Sequence, residues 1–474
     1  MRSPVSAPTC MILLWIPLSG LLMLTVSCAI LPGNWHAHPN QPNQPGSTPT
    51  RSNFIAEDVP PGDGMFIGVA LSGGGSRAAN FGAAALLELQ EKLGDHPIDV
   101  VSSVSGGSLP AAYLALDKYS YRSWWFRHRE IHFAKAYEDE IKDRLQRNYQ
   151  VRFVARWLLP WNMFRFWLTD FNRTDIMVPV LDANLYHGAT FADLAHLTGP
   201  KLLINASEMG EPKPFPFVDE TFAELHSDLS HERISVAVAA SLAVPGFFHH
   251  VVLEDRTEPP SSAPYRHLSD AAVTDNLGLK SLFKMLESVE DGSRHFPNGC
   301  VLISIDASPA FLPWKRTRSE TREFPQDYLF DRNASDAIDY VLLDQRAKTL
   351  LTVGMMTPDT GPAFSLWLSP DKRFTCRFWH IALRRVPPGN EVLGHRWDEL
   401  SWQSQIRLPT ELNMWDWQQR ALFEAAKYLI EQGWHDQAKT WFPPQLTGTA
   451  IPMSSNSRAK PANAAPVSPH QFYD

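Results

Sequence analysis

Cysteine is scarce, with four in 474 residues. Cys10 and Cys28 fall in or beside an N-terminal apolar segment, which leaves Cys300 and Cys376 for the folded part. No zinc-type Cys/His spacing exists, so a structural zinc domain is excluded, and no metal or cofactor is expected. Cys300 opens one apolar run and Cys376 precedes another, and both read as buried free thiols. Positive charge is also short: 43 Lys and Arg face 51 Asp and Glu, for a net charge of −8. With no long basic stretch, this balance excludes nucleic acid as a main partner. No internal repeat is evident. What remains is an ordinary globular composition, 44% apolar and 20% charged, long enough for a large core and two or three domains.

The informative residues are two glycine-flanked turns one strand-helix-strand unit apart. Gly73-Gly74-Gly75-Ser76-Arg77 follows the apolar run Met65–Leu71, and Ser103-Val104-Ser105-Gly106-Gly107 follows Ile98–Ser102. Met65–Leu71 is short, apolar and bounded by glycine, which predicts a buried strand. Ala79–Leu93 has apolar residues at helical spacing and stops before Gly94. Ile98–Ser103 then reads as a second buried strand. Such a run implies parallel neighbours, with both turns at the carboxyl ends of their strands, the edge where open α/β sheets bind ligands. A glycine loop there can aim backbone N–H groups at one point, and a Ser on a tight strand-to-helix turn can push its hydroxyl toward it. Ser105 is thus the candidate nucleophile, in strained backbone between the small residues Ser103 and Gly107. Ser108 is the expected N-cap of the helix that follows, with Pro110 in its first turn.

The glycine loop Gly73–Arg77, the turn around Ser105 and a later Asp270-Ala271-Ala272 resemble the three signature blocks of patatin-like phospholipases. Ile204-Asn205-Ala206-Ser207, the stretch Ala239–Phe248 and the stretch Leu268–Gly278 extend the likeness across 65–307. The resemblance implies an α/β fold: a three-layer sandwich with a mostly parallel central sheet flanked by helices. It further implies a Ser105–Asp270 dyad without His or metal, an oxyanion hole from Gly73, Gly74 and Gly75, and supporting roles for Arg77 and Gly107. The implied activity is phospholipase A-type hydrolysis of lipid carboxylic esters through an acyl-serine. Three departures stand out: Ala78, Ser103 and Ala271 occupy positions where the family usually has Gly. Each carries a Cβ that restricts positive φ, and at Ala271 this could misplace Asp270. Asp275 reads as a solvated loop acid, and Arg77 either as a structural ion-pair or helix-flank contact or as a ligand for a substrate phosphate.

Other classes remain open on these residues. A non-catalytic lipid- or envelope-binding lipoprotein is one, and a Ser–His–Asp esterase using His295, His380 or His395 is another. Gly73, Gly75 and Ala78 also fit G-x-G-x-x-A, but the second strand lacks the acid a dinucleotide site needs, and no Lys follows for a P-loop. His249 and His250 would diverge to opposite faces of a strand, which gives no metal site.

Residues 1–28 read as a targeting segment: Arg2, the apolar stretch Met11–Val26, then Thr25-Val26-Ser27-Cys28, which resembles a bacterial lipobox with Cys28 as the lipidated residue. An uncleaved N-terminal membrane anchor is the alternative. Residues 29–60 read as a flexible tether, 61–310 as the catalytic domain, 311–442 as a continuation packed on the core, and 443–474 as a Pro/Ala/Ser-rich tail. The expected location is the cell envelope, facing the periplasm. Expected partners are a lipid ester and a membrane surface, and the sequence leaves the oligomeric state open. Tyr119–Phe171 mixes eleven Trp and Phe residues with Arg, which fits either a lipid-facing surface or aromatic core. Near the C-terminus, Ala337–Val353 and Trp415–Gln432 read as helices, the latter stopping at Gly433, and Phe378–Leu383 as a strand.

Overall fold

Alternation along one short strand feeds two hydrophobic clusters, one on each of its faces. β1 (Met65–Leu71) sends Met65, Ile67, Val69 and Leu71 into one hydrophobic cluster, and Phe66 and Ala70 into another on the opposite face. Side chains of a strand alternate between faces, so a strand apolar at every position must be covered on both. The computed structural model describes residues 40, 42, 63–94, 96–116, 131–169, 171–195, 199–211, 213–257, 264–287, 289, 292–308, 332–352, 363–367, 375–387, 391–392, 395–396 and 414–442. The targeting segment, Cys28 and the 443–474 tail lie outside the described residues.

The remaining strands of the main sheet are β2 (Val100–Val104), β3 (Lys201–Glu208), β4 (Lys213–Pro216), β5 (Val251–Glu254), β6 (Tyr265–Asp270), β7 (Gly299–Asp306), β8 (Ala363–Trp367) and β9 (Thr375–Ala382). Five central strands, β3-β2-β1-β7-β9, run parallel. β4 and β6 pair antiparallel with β3, β5 with β6, and β8 with β9. The sheet is therefore parallel in the middle and antiparallel at both margins. Helices of eight or more residues are α1 (Gly75–Leu93), α2 (Ser108–Leu116), α3 (Ile131–Gln146), α4 (Tyr149–Trp157), α5 (Pro160–Leu168), α6 (Arg173–Leu181), α7 (Ile234–Ser241), α8 (Leu279–Glu287), α9 (Arg332–Thr352) and α10 (Asp416–Asp436). Buried residues of α1, α2, α7 and α10 share the cluster of Ile67 and Val69, whereas those of α8 share the cluster of Phe66 with Leu350 of α9. This is a mixed α/β fold with helices on both faces of a central sheet. None of the described helices is long and apolar enough to cross a membrane.

Several expectations change. Cys300 and Cys376 are directly paired residues of neighbouring parallel strands, and they form a disulfide rather than free thiols. Only the register of β7 against β9, across 76 residues of chain, brings them together. Helix α10 does not stop at Gly433 but runs through it to Asp436. The glycine marks a close approach instead: a Cβ there would sit 2.7 Å from the Trp379 indole. Within the expected tether, Asn40 is buried and clamped to β5, donating to the Glu254 carbonyl at 3.1 Å and accepting from the Glu254 N–H at 2.8 Å. An Asn side chain carries both donor and acceptor, which suits it to an open strand edge. The aromatic segment is not uniform core, because Trp161, Phe164 and Trp167 are exposed.

Candidate active site

One strand acts as a ruler for the site. On one side of β3, Asn205 and Ala206 pair with Pro216 and Phe215 of β4. On the other, Asn205 pairs with Val104, the last residue of β2, and Ala206 pairs with Asp270, the last residue of β6. β2 and β6 therefore lie end to end along the same edge of β3, carboxyl ends meeting. Ser105, one residue past Val104, and Asp270 are brought together across 165 positions of sequence. The Ser105 hydroxyl donates to Asp270 Oδ2 at 2.7 Å, and both side chains are buried.

Each partner is fixed in place. Ser105 has a φ of 50°, left-handed backbone that is costly for a residue with a Cβ. Its N–H donates to Ser241 Oγ at 2.8 Å, and Ser241 at the end of α7 also meets Ser108 Oγ at 3.1 Å. Below the turn, Asn205 Nδ2 donates to Ser102 Oγ at 2.9 Å and to the Ser103 carbonyl at 3.0 Å, and Asn205 Oδ1 accepts from Ser281 Oγ at 2.6 Å. Such a closed buried network holds one backbone geometry. Asp270 receives the Ala272 N–H on Oδ1 at 2.8 Å, which leaves Oδ2 for Ser105. Burial pushes the Asp270 carboxyl up to about 7, against the lowering effect of the hydrogen bonds from Ser105 and Ala272. A carboxylate so placed takes and returns a proton near neutrality, which a solvated Asp does poorly.

The glycine loop meets the serine turn by close backbone contact. A Cβ on Gly106 would fall 2.1 Å from the Gly75 carbonyl oxygen, and one on Gly107 would fall 2.7 Å from that of Ser72. The loop differs from expectation in its donors. The Gly73 N–H is spent on the Asn276 carbonyl at 3.0 Å, so Gly73 is not a free donor. Gly75 opens α1 with Gly74 at its N-cap, where the first N–H groups of a helix have no intrahelical acceptor. The helix dipole adds to their attraction for negative charge.

Other sequence candidates fall elsewhere. Arg77 Nε donates to the Ala307 carbonyl at 2.7 Å, tying α1 to the end of β7. Ser108 is not an N-cap: a 3-10 turn over Ser105–Gly107 precedes it, and Ser108 itself has helical φ and ψ, −71° and −23°, as the first residue of α2. Asp275 is not a solvated loop acid but is buried, with its Oδ2 accepting the Lys280 N–H at 2.7 Å and its Oδ1 the Leu277 N–H at 3.1 Å. Burial raises its pKa, while these bonds at the start of α8 oppose the rise. Ala271 has φ −61° and ψ −26°, and neither Ala78 nor Ser103 has positive φ, so the three replacements of glycine impose no backbone penalty. His380 is committed to Asp306, with Nε2 3.0 Å from Oδ2, and Arg346 pairs with the same carboxylate at 2.6 Å. His295 precedes the amino end of β7, the sheet edge opposite Ser105. His395 lies in a separate two-stranded ladder with Val392. Among the described residues, no group of three or more His, Cys, Asp or Glu could hold a metal ion.

Sequence reasoning gave no role to Ser241, Asn205 or Asn276. All three sit inside family-like blocks, but their task is to hold backbone at points distant in sequence, and only pairing partners reveal that. The family model for patatin-like phospholipase matches residues 69–283, which span both turns and Asp270. This stretch is a patatin-like phospholipase domain. Among solved structures, human GIVD cytosolic phospholipase A2 is similar over 81% of this chain and 60% of its own, at 12% identity and a TM-score of 0.45. The same human enzyme in complex with methyl gamma-linolenyl fluorophosphonate is similar over 81% and 60%, at 15% identity and a TM-score of 0.40. This chain thus spans under two thirds of the length of those structures. Curated proteins give no match. In this chain the patatin-like domain is not closed on itself: β7 and β9, beyond residue 283, complete the sheet next to β1.

Proposed function

We propose that the chain is a serine acyl hydrolase that cleaves carboxylic esters of lipids and phospholipids through a Ser105–Asp270 dyad. The observation that carries this reading is the buried 2.7 Å bond from Ser105 Oγ to an aspartate whose pKa lies near 7. Ser105 Oγ attacks the ester carbonyl carbon while its proton passes to Asp270 Oδ2. The resulting oxyanion is held by the N–H groups of Gly74 and Gly75, a contribution of roughly 3–4 kcal/mol per donor. Collapse breaks the bond to the alcohol, which leaves with the proton from Asp270. Water then attacks the acyl-serine, gives its proton to Asp270, and the carboxylic acid departs as Ser105 recovers its hydrogen. The phospholipase family of the domain supports a lipid ester as substrate. An A-type cleavage position and a membrane-anchored location at the cell envelope belong to the same proposal. The Cys300–Cys376 disulfide supports that location, since such bonds persist in oxidising compartments.

A fluorophosphonate probe and a soluble short-chain ester test the reading. Ser105→Ala should abolish labelling and lower ester turnover by ~10²-fold or more. Equal labelling of wild type and Ser105→Ala would refute it.

A further inference from the structure

Helices α4 and α5 turn their apolar sides outward. Val151, Val154, Ala155 and Leu158 recur at the spacing of one helical face, and all four are exposed. On α5, Trp161, Phe164 and Trp167 are 69%, 55% and 42% exposed, and no residue of that helix is buried. A surface helix normally does the reverse, and a contiguous apolar face in water marks an interaction site. The opposite side of α4 explains the orientation: Phe153 packs edge-on against Phe248 at 5.6 Å, and Arg156 donates to the Pro179 carbonyl at 3.0 Å.

Charge selects the occupant. From Arg147 to Thr169 the chain carries Arg147, Arg152, Arg156 and Arg165 and no Asp or Glu, in a protein of net charge −8. Arg152 is exposed beside the apolar face, and Arg165 lies over the Phe171 ring at 4.2 Å. A second copy docking through this face would bring like charges together. A bilayer with anionic headgroups offers the complement, with apolar side chains entering the acyl boundary and arginines meeting phosphates. The surface is also continuous with the site: Phe248 belongs to the loop whose Ala243 carbonyl accepts the Asp270 N–H at 2.9 Å.

We propose that the α4–α5 hairpin is the surface by which this chain docks on anionic lipid bilayers, with Trp161, Phe164 and Trp167 inserted and Arg152 and Arg165 at the headgroups. The proposal rests on the lipid-ester reading above for its biological sense, but its test does not require hydrolysis. The Ser105→Ala chain is sedimented with phosphatidylcholine vesicles and with vesicles of phosphatidylcholine and phosphatidylglycerol. Binding should favour the anionic vesicles. The combined change Trp161→Ser, Phe164→Ser, Trp167→Ser should weaken it by roughly 100-fold or more, about tenfold or less per ring leaving water only in part. Arg152→Gln with Arg165→Gln should remove most of the preference for phosphatidylglycerol, about fivefold per charge. Unchanged unfolding midpoints would show that the variants fold, as expected for exposed side chains. Vesicle binding within threefold of the parent after the aromatic change, equal binding to both vesicle types, or a dimer in solution that the aromatic change dissociates would each overturn the proposal. An inactive wild type on a soluble ester, with vesicle binding intact, would instead count against the dyad and leave the docking surface standing.

Discussion

Replacing Asp270 by Asn should destroy activity and yet strengthen the fold at alkaline pH. The carboxyl rises from an ordinary 3.8 to about 7 because it is buried, so the folded chain holds its proton more tightly than the unfolded chain does. For a carboxyl raised in this way, stability is complete below the unfolded value and declines as pH climbs through the folded one. By linkage the penalty is roughly 2 kcal/mol at pH 5 and about 4 kcal/mol at pH 8.5. Asn cannot ionise, and its amide still offers an acceptor to the Ala272 N–H and a donor to Ser105 Oγ. Urea unfolding should therefore find Asp270→Asn more stable than wild type, by about 2 kcal/mol more at pH 8.5 than at pH 5. Turnover of a soluble ester should fall ~10²-fold or more, because the proton acceptor is gone. In wild type, kcat/KM should rise with pH and level off above about 7, where Asp270 is ionised. A flat pH–rate profile between pH 5 and 9, or an Asn variant less stable than wild type at pH 8.5, would refute the reasoning.

Three further substitutions probe the scaffold. Gly106→Ala places a Cβ 2.1 Å from the Gly75 carbonyl oxygen, and should cost at least about 3 kcal/mol in chemical denaturation and abolish turnover. Ser241→Ala removes the acceptor for the Ser105 N–H; a loss of about 1–3 kcal/mol is expected, with a fall in kcat and little change in KM. Cys376→Ser opens the cross-link between β7 and β9, and should lower the urea midpoint by the equivalent of about 2–4 kcal/mol. Free thiols at both Cys300 and Cys376, located by mass spectrometry in the native chain, would remove the basis of that last expectation.

Local pattern made much of the molecule legible. An all-apolar heptapeptide followed one residue later by three glycines is β1, and the helix after it follows from spacing that repeats every turn. The small residues around Ser105 foretold a turn too tight for larger side chains, and Ser105 does carry positive φ. The apolar run through Trp417, Leu422 and Leu429 gave α10, but its expected stop at Gly433 is a contact with Trp379, a residue 54 positions earlier. Local rules cannot tell a glycine that ends a helix from one that admits a neighbour. The same limit hid the disulfide, because strand register, not cysteine spacing, puts Cys300 opposite Cys376.

By itself, then, the sequence determined the strand-helix-strand frame, the strained serine and the phospholipase-like blocks, since these depend on the sizes and shapes of residues a few positions apart. Only the tertiary structure decided that β2 and β6 meet carboxyl end to carboxyl end along β3. That meeting sets the distance between Ser105 and Asp270 and buries the carboxyl enough to move its pKa. It also turned Gly73 from an expected donor into a tether for Asn276, and faced an aromatic hairpin toward water. Distances between remote residues and the removal of solvent from a charge are properties of the packed chain, and no short stretch of sequence contains them.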